Sequence, residues 1–434
     1  MHIGEKIRQI RMMKNMKQSE LVEGICSIAY LSRVENGKSK PSAQFIRAVC
    51  QKLGIAPEDI SDDQSNKKKQ RITNIINQYK KTRILNETDE YLLKLALFES
   101  HLLDTLINIY TILIRHYLAD NKIKEAQHIF QLSQQSIPDE APPDLAVEFF
   151  YYYLNCGNIF FATQDYIKAT DYYERAERLS RWVGDKDLAI LNYNLSLVKQ
   201  HLSQDKTICL HYSQKCYELH KKLGNEVDLA KVLITQATQY NLNHKYNQAI
   251  KCLDQALEIV LRTENVNFLG MIEYNYGRAY QLKGEIETAI QHYETCLHLR
   301  NKIGADQPKV HTYRELVLIY MERKDLAKVD QYLKEGLRIA ETHQQWYHYI
   351  EFCMFKAMLY KSHFKDQLYE KETQKLIELA VERNQLNLAK KMAHDLGRHY
   401  YEKNAYKKAA DYYDMALKFE GNLHAPTTLA DRES

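Results

Sequence analysis

The sequence is poor in the residues that build tight turns. It has only 14 glycines and 7 prolines among 434 residues, less than half of their combined share of roughly 12% in an average protein. Turn-rich β-architectures, collagen-like chains and low-complexity chains are therefore disfavoured. With 45% hydrophobic residues, the chain still has enough apolar side chains to build a large core.

Long apolar runs are also missing. No stretch approaches the roughly 20 apolar residues that a membrane-crossing helix requires. The N-terminal segment, MHIGEKIRQIRMMKN, carries charges where a secretion signal would have an apolar core. We therefore expect a cytoplasmic protein without a membrane partner.

The sequence lacks motifs of catalysis and of metal binding. Its eight cysteines include no Cys-x-x-Cys pair, so neither a disulfide framework nor a zinc site is indicated. It contains no Gly-rich phosphate loop, no Gly-x-Ser-x-Gly and no His-Glu-x-x-His. We expect no catalytic residue, no metal site and no cofactor, and hence a protein that is not an enzyme.

The positive charge is concentrated near the N-terminus. Residues 1–72 contain 14 Lys and Arg against 8 Asp and Glu, a net charge of +6, whereas the whole chain carries +4. A local basic segment on an otherwise balanced chain suggests contact with nucleic acid, although a solvated basic face has the same composition.

Residues 3–60 divide into five short predicted helices. Ser27 and Ser42 are suitable N-caps for the third and fourth, and the third ends at Asn36-Gly37, where glycine can adopt the left-handed conformation. A fifth is predicted to start at Pro57. The connection between the second and third helices is very short and contains Gly24, which is typical of a helix-turn-helix.

The segment KQSELVEGICSIAYLSRVENGKSKPS resembles the Cro/repressor-type (XRE) DNA-binding domain. The matching positions are Gln18, Leu21, Leu31, Ser32, Val34, Glu35, Asn36, Gly37, Lys38, Pro41 and Ser42. Val22 stands where alanine is usual, and the turn is slightly shortened. Neither difference removes a group that would face DNA.

The third helix carries the predicted DNA-reading surface. Because Leu31 and Val34 are three residues apart and must face the core, the opposite side is predicted to face DNA; it comprises Ser27, Ile28, Ala29, Ser32 and Arg33. Arg33 can donate two hydrogen bonds to a guanine edge, unless it is only a solvated surface arginine. The resemblance implies phosphate contacts by Gln18 and Lys38.

The remaining chain is predicted to consist of helical repeats. Ile72, Ile75 and Ile76 keep helical spacing and indicate a linker helix. The expected domains are a helix-turn-helix at 1–65, the linker helix and start of the repeats at 66–100, repeats at 101–421 and a disordered tail at 422–434. The fold class is therefore all-α.

Packing positions recur with a 40-residue period from about residue 150. One column holds Gly157, Leu197, Ala237, Gly277, Val317, Ala357 and Gly397, and another holds Ala176, Cys216, Ala256, Cys296, Gly336, Leu376 and Ala416. Small residues in these columns, with an aromatic residue three positions after the first, resemble the tetratricopeptide (TPR) repeat, a pair of antiparallel helices. An earlier unit at a 43-residue offset brings the number to about eight. Because the period exceeds the usual TPR length of roughly 34 residues, longer loops between the units are expected.

Stacked TPR pairs form a right-handed superhelix whose concave surface is lined by the first helix of each pair. The polar residues projected onto that surface, which would suit the backbone amides and the carboxylate of an extended peptide, are Asn158, Asn194, His201, Thr238, Asn241, Tyr274, Arg278, Gln281 and Arg314, with Met354 beside them. Arg278 and Arg314 are expected to hold a C-terminal carboxylate. The alternative is a merely hydrated surface.

This order of domains resembles the peptide-pheromone-responsive regulators of Gram-positive bacteria, the RRNPP family, and in length and repeat number its NprR-type members. The resemblance implies a cytoplasmic quorum-sensing transcription factor that binds operator DNA as a dimer or tetramer and is gated by a short signalling peptide in the repeat groove. It also implies an alternative, a TPR scaffold that binds a phosphorelay response regulator under peptide control. A phosphatase acting on a phospho-aspartyl protein, as in the related Rap group, ranks last, because the helix-turn-helix occupies the segment before the repeats.

Overall fold

The computed structural model describes residues 3–14, 16–57, 60, 65–99, 101–203, 205–263 and 265–424. Within these residues the chain is all-α, with 22 α-helices, two short 3-10 helices and no strand. Contacts between Cα atoms divide it into two compact units, Met1–Asn225 and Glu226–Ser434. None of the described helices combines the length and apolar character that a membrane span requires.

The first four helices form the helix-turn-helix. They are α1 (Ile3–Met13), α2 (Gln18–Val22), α3 (Ile28–Glu35) and α4 (Ala43–Leu53). The Ser27 hydroxyl accepts a hydrogen bond from the Tyr30 N–H at 3.2 Å, and Ser42 caps α4 in the same way through Phe45. Both predicted N-caps are therefore confirmed. The predicted fifth helix after Pro57 falls largely on residues 58, 59 and 61–64, outside the described residues.

Two helices follow and connect the helix-turn-helix to the repeats, α5 (Ser65–Thr82) and α6 (Glu87–Ala96). The predicted linker helix thus corresponds to α5. Leu95 of α6 is 3% exposed and belongs to the same apolar cluster as the helix-turn-helix core. Lys6 of α1 pairs with Glu99 at 3.1 Å. Since apolar packing and an ion pair both join α1 to the α6 region, the helix-turn-helix is docked within the first unit.

The repeat helices of the first unit form three pairs. They are α7 (Leu103–Ala119), α8 (Ile123–Ser133), α9 (Ala146–Ala162), α10 (Tyr166–Arg178), α11 (Asp185–Leu202) and α12 (Thr207–Leu223). A continuous apolar cluster runs from Ile72 of α5 to Val198 of α11. The core of the repeats therefore includes the linker helix.

The second unit contains five further pairs, which brings the described total to eight, the number predicted. Its helices are α13 (Glu226–Leu242), α14 (Tyr246–Thr263), α15 (Val266–Lys283), α16 (Ile286–Lys302), α17 (Lys309–Glu322), α18 (Leu326–Thr342), α19 (Trp346–Ser362), α20 (Asp366–Glu382), α21 (Leu386–Glu402) and α22 (Tyr406–His424). Helix α22 includes residues 422–424, and the rest of the expected tail lies outside the described residues.

Glycines of the first column let paired helices approach closely. A Cβ atom added to Gly277 would lie 2.5 Å from the Tyr293 ring, and one added to Gly397 would lie 2.9 Å from the Tyr413 ring. Ala176, Cys216 and Ala256 of the other column are fully buried. The columns therefore pack as the TPR pattern predicts.

The expectation of longer loops is wrong. Most repeat helices of the second unit are nearly five turns long, for example 17 residues in α13 and 18 residues in α14. Connections between neighbouring pairs, such as 343–345 and 383–385, are only three residues long. Positive φ angles recur at intervals of 20 residues from Gly224 to Asn404. At each of these positions that the structure describes, φ lies between 52° and 90°. The extra residues of the 40-residue period therefore lengthen the helices, and most described helices of the second unit are followed by a left-handed residue.

Substituting Gly277 by valine should destabilise the second unit by about 2 kcal/mol, because the added atoms overpack against Tyr293. Gly184, where an added Cβ meets nothing within 4 Å, provides the control, and Gly184→Val should cost less than about 1 kcal/mol. Urea denaturation followed by far-UV circular dichroism measures both. Equal effects would show that the column glycine does not govern this helix contact.

Candidate functional site

The outer side of α3 is open to solvent. Leu31 and Val34 are 0% and 1% exposed, while Ile28 is 49% exposed. Ser27, Ala29 and Arg33 are exposed, and Ser32 is half-buried. The surface that sequence reasoning selected is therefore accessible to a partner.

Glu35 connects three segments of the helix-turn-helix. Its side chain is 2% exposed and accepts hydrogen bonds from Arg11 Nε at 2.7 Å and Arg11 Nη2 at 3.0 Å. Gln18 Nε2 donates to the second carboxylate oxygen at 2.7 Å. The predicted phosphate contact Gln18 is thus held at the start of α2 by this carboxylate, while Lys38 is exposed beyond the end of α3.

In the first unit, two of the predicted peptide contacts lie together. Asn158 Oδ1 accepts hydrogen bonds from the Tyr173 hydroxyl at 2.8 Å and from Asn194 Nδ2 at 2.9 Å. His201 stacks on the Tyr166 ring, with the centroids 4.2 Å apart. Asn158 and Asn194 therefore bridge neighbouring pairs through α9 and α11.

The second unit has a similar polar bridge between α13 and α15. Thr238 donates to Asn275 Oδ1 at 2.9 Å, and Gln281 Oε1 accepts from the Tyr293 hydroxyl at 2.6 Å. Asn241 differs: it is 6% exposed, and its Oδ1 atom has no hydrogen-bond partner among the described residues. A buried acceptor without a donor carries a free-energy cost that a ligand N–H would remove.

Arg278 and Arg314 belong to a charge network across α15, α17 and α19. Glu315 accepts Arg278 Nη1 and Arg314 Nη1, each at 2.7 Å, and its side chain is 3% exposed. Arg314 Nε also bonds to Glu351 at 2.9 Å. The two arginines were expected to hold a peptide carboxylate, but in the structure their partners are carboxylates of the chain itself.

Tyr274 and Met354 lie close to this network. The Tyr274 ring is 5.8 Å from the Arg300 guanidinium, and burial raises the pKa of its hydroxyl to about 12. Met354, Arg314 and Glu351 line a pocket of about 330 Å³. The surroundings of these residues therefore combine apolar walls with paired charges.

Sequence reasoning missed Asn275, Glu315 and Glu351, because it projected only selected positions of each first helix. Their 37-residue offsets from Thr238, Arg278 and Arg314 are the signal that could have revealed them. No group of His, Cys, Asp or Glu that could hold a metal occurs in the described part of the chain. All eight cysteines are free thiols.

Comparison with known proteins supports both parts of this architecture. The helix-turn-helix family model matches residues 7–60, and the tetratricopeptide repeat model matches residues 274–303. The match to the first model includes the whole of α2, α3 and α4.

Relatives extend the similarity to nearly the whole chain. The transcriptional activator NprA of Geobacillus stearothermophilus is 24% identical over 93% of this chain and 99% of its own length. Response regulator aspartate phosphatase E of Bacillus subtilis (strain 168) is 26% identical over 44% of this chain and 52% of its own. The structure of NprR in complex with its cognate peptide NprX matches 82% of this chain and 98% of that one, with 15% identity and a TM-score of 0.52. The chain is therefore similar in sequence to a transcriptional activator over nearly its whole length, and it shares the fold of NprR.

Proposed function

We propose that the protein is a cytoplasmic quorum-sensing transcription regulator that reads operator DNA through α3 and is gated by a short peptide bound to its repeats. Arg33, Ser32, Ile28, Ala29 and Ser27 would contact bases. Gln18 and Lys38 would contact phosphates. The observation that carries the DNA-binding half is the open outer side of α3, where no described residue pairs with the Arg33 guanidinium.

Replacing Arg33 with alanine should weaken binding to the cognate operator by about 1–3 kcal/mol, which is roughly 5- to 150-fold. Arg33→Lys should keep the positive charge but lose the bidentate contact with guanine, so that specificity falls more than non-specific binding does. Fluorescence anisotropy with the promoter region of the protein's own gene, at low salt, measures both.

Two results would contradict this prediction. A wild-type protein that does not bind this promoter region, or an Arg33→Ala variant that binds it as tightly as the wild type, would remove α3 as the reading helix. Circular dichroism of each variant checks that the helices remain intact.

The proposal that the repeats bind a peptide rests on Asn241. Its buried and unpaired Oδ1 atom could accept a backbone N–H of an extended peptide, whose donors and acceptors are otherwise unpaired. The structure of NprR with NprX offers a precedent in a protein of the same fold. The proposed contacts are Asn158, Asn194 and His201 in the first unit and Thr238, Asn241, Tyr274, Arg278, Gln281 and Arg314 in the second.

Asn241→Ala should weaken peptide binding tenfold or more, because a peptide N–H then loses its buried acceptor. Asn301, an exposed residue of α16, provides the matched control Asn301→Ala, which should bind like the wild type. Calorimetry would use synthetic peptides of five to ten residues encoded by a small reading frame directly downstream of the gene. If both variants bind as the wild type does, the peptide lies elsewhere.

The DNA-bound form is proposed to be a homodimer or a tetramer, since one helix-turn-helix reads only a half-site. Tyr401, Tyr406 and Leu417 on the last pair are 58–65% exposed and provide apolar surface for pairing. Sedimentation velocity with a full operator tests this. A complex with one protein chain per operator would contradict it.

A second candidate function is the binding of a phosphorelay response regulator by the repeats, under peptide control. It is favoured by the similarity to response regulator aspartate phosphatase E, of whose length this chain covers about half. Surface plasmon resonance can measure binding of the Arg33→Ala variant to purified response regulators. It separates the two functions, because binding of a response regulator should survive the loss of DNA binding.

A further inference from the structure

The first unit contains a cavity of about 730 Å³, whose charged lining residues have no assigned role. Its wall includes Arg83, directly after α5, Arg115 of α7 and Lys186 of α11. Asn158 of α9 lines it as well. The cavity therefore joins the end of the linker helix to three helices of the repeats.

The cavity has an excess of positive charge. Three cationic side chains line it, and Asp187 is its single acidic lining residue among the described ones. Tyr151 donates a hydrogen bond to that carboxylate, and burial of the tyrosine, together with this bond, raises its pKa to about 12. Arg278 and Arg314 of the second unit are paired with Glu315 and Glu351; in contrast, no described carboxylate lies within ion-pair distance of the Arg83 or Arg115 guanidinium.

Burial of Arg115 makes its incompletely compensated charge costly. The side chain is half-buried; burial and then the nearby Arg83 lower its pKa, and the Asp187 carboxylate opposes this lowering only in part. A guanidinium that loses water without gaining an anion is electrostatically unsatisfied, and a carboxylate is the group whose geometry it matches.

The other lining groups fit a peptide rather than an inorganic anion. Asn158 Oδ1 already accepts two hydrogen bonds, so the amide has its Nδ2 donor left for a ligand oxygen. Leu118, Leu154 and Ile190 supply apolar wall. Amide donors and apolar side chains beside a pair of arginines match the mixed character of a peptide end.

We propose that this cavity binds a carboxylate of a short peptide, between Arg83 and Arg115, with Lys186 adding positive charge. The inference rests on the proposed peptide-gated function and specifies its anchoring site. The carboxylate is either the peptide's C-terminus or an Asp or Glu side chain.

This site would connect ligand binding to the linker helix. Arg83 adopts a left-handed conformation, φ 60°, immediately after Thr82, the last residue of α5. A carboxylate held by both arginines ties the end of α5 to α7. The ligand then acts on the helix that leads to the DNA-binding domain.

The first experiment uses glutarate, a dicarboxylate, as the probe. Phenylglyoxal modification of arginines in the full chain, located by mass spectrometry, is measured with and without the probe. Glutarate should slow modification of Arg83 and Arg115 at least fivefold and leave Arg178, exposed on α10 outside the cavity, unaffected. Equal rates with and without glutarate would overturn the site.

The second experiment uses the peptides encoded downstream of the gene, in free-acid, C-amidated and Asp/Glu-to-Asn/Gln forms. Arg115→Gln should weaken binding of the free-acid peptide at least tenfold. Arg83→Gln should do the same, and its folding is less at risk because Arg83 is exposed. Arg178→Gln should leave binding unchanged. Loss of affinity on amidation identifies the C-terminus as the anchor, and loss on side-chain neutralisation identifies an acidic residue.

The two hypotheses fail in different ways. Peptides that bind the wild type and both arginine variants equally would overturn this site but keep the proposed function. If no peptide binds the wild type while glutarate still protects Arg83 and Arg115, the peptide-gated function fails and the carboxylate site stands.

Discussion

Replacing Glu35 with glutamine is expected to unfold the helix-turn-helix while the repeats remain folded. The substitution leaves the largely buried Arg11 guanidinium without a carboxylate partner. It also places an amide N–H of the new glutamine against the N–H donors of Arg11. Breaking a buried ion pair in this way costs about 3–5 kcal/mol, a large fraction of the stability of a small domain. Hydrogen-exchange mass spectrometry should show protection falling over a hundredfold in α1–α4, and operator binding should be lost.

A control in the same domain separates this effect from a general loss of charge. Glu23 has an 84% exposed side chain and lies 3.7 Å from Lys52, so Glu23→Gln should change stability by less than about 1 kcal/mol. The double substitution Arg11→Met with Glu35→Leu should recover most of the lost protection, because an apolar pair can replace a buried ion pair. Normal protection in Glu35→Gln would contradict the assigned role.

Glu315→Gln is expected to be the most destabilising single change in the second unit. It removes the carboxylate that neutralises Arg278 and Arg314 at a position where the acid side chain is 3% exposed. We expect a loss of about 3 kcal/mol, concentrated in α15, α17 and α19. Hydrogen exchange resolved by segment is the suitable measurement, because repeat arrays need not unfold in one step.

Glu287 offers the matched control for Glu315. It also joins neighbouring pairs, through Arg323 at 2.6 Å, but its side chain is 77% exposed. Glu287→Gln should therefore cost less than about 1 kcal/mol. If the two variants lose equal protection, burial of the carboxylate is not what makes the Glu315 network important.

Local signals in the sequence were sufficient for the helix-turn-helix and for the helix pairs. Ser27 and Ser42 each sit directly before a helix whose third residue donates its N–H to the hydroxyl, and such capping depends on only a few neighbouring residues. Gly277 and Gly397 marked the helix contacts because only a small residue fits against an aromatic ring.

Pairing between distant side chains could not be predicted in the same way. Arg314 and Glu315 are adjacent in the chain, and adjacent residues of a helix do not face each other, yet the carboxylate lies between Arg278 and Arg314. Arg83 and Arg115 line one cavity only because α5 packs on α7. Such contacts depend on rotamers and on the packing of whole helices, which a repeat period does not encode.

The left-handed residue at every twentieth position has an evolutionary consequence. Because most described helices of the second unit end at their own locally encoded stop, a gene duplication or deletion of residues 345–384, between the left-handed Gln344 and Asn384, transfers the whole pair of α19 and α20 together with its turns. Insertions of other lengths would place a stop inside a helix and move small residues out of their columns. Descendants of this gene can therefore lengthen or shorten the array without redesigning a turn, provided that they do so in steps of forty residues.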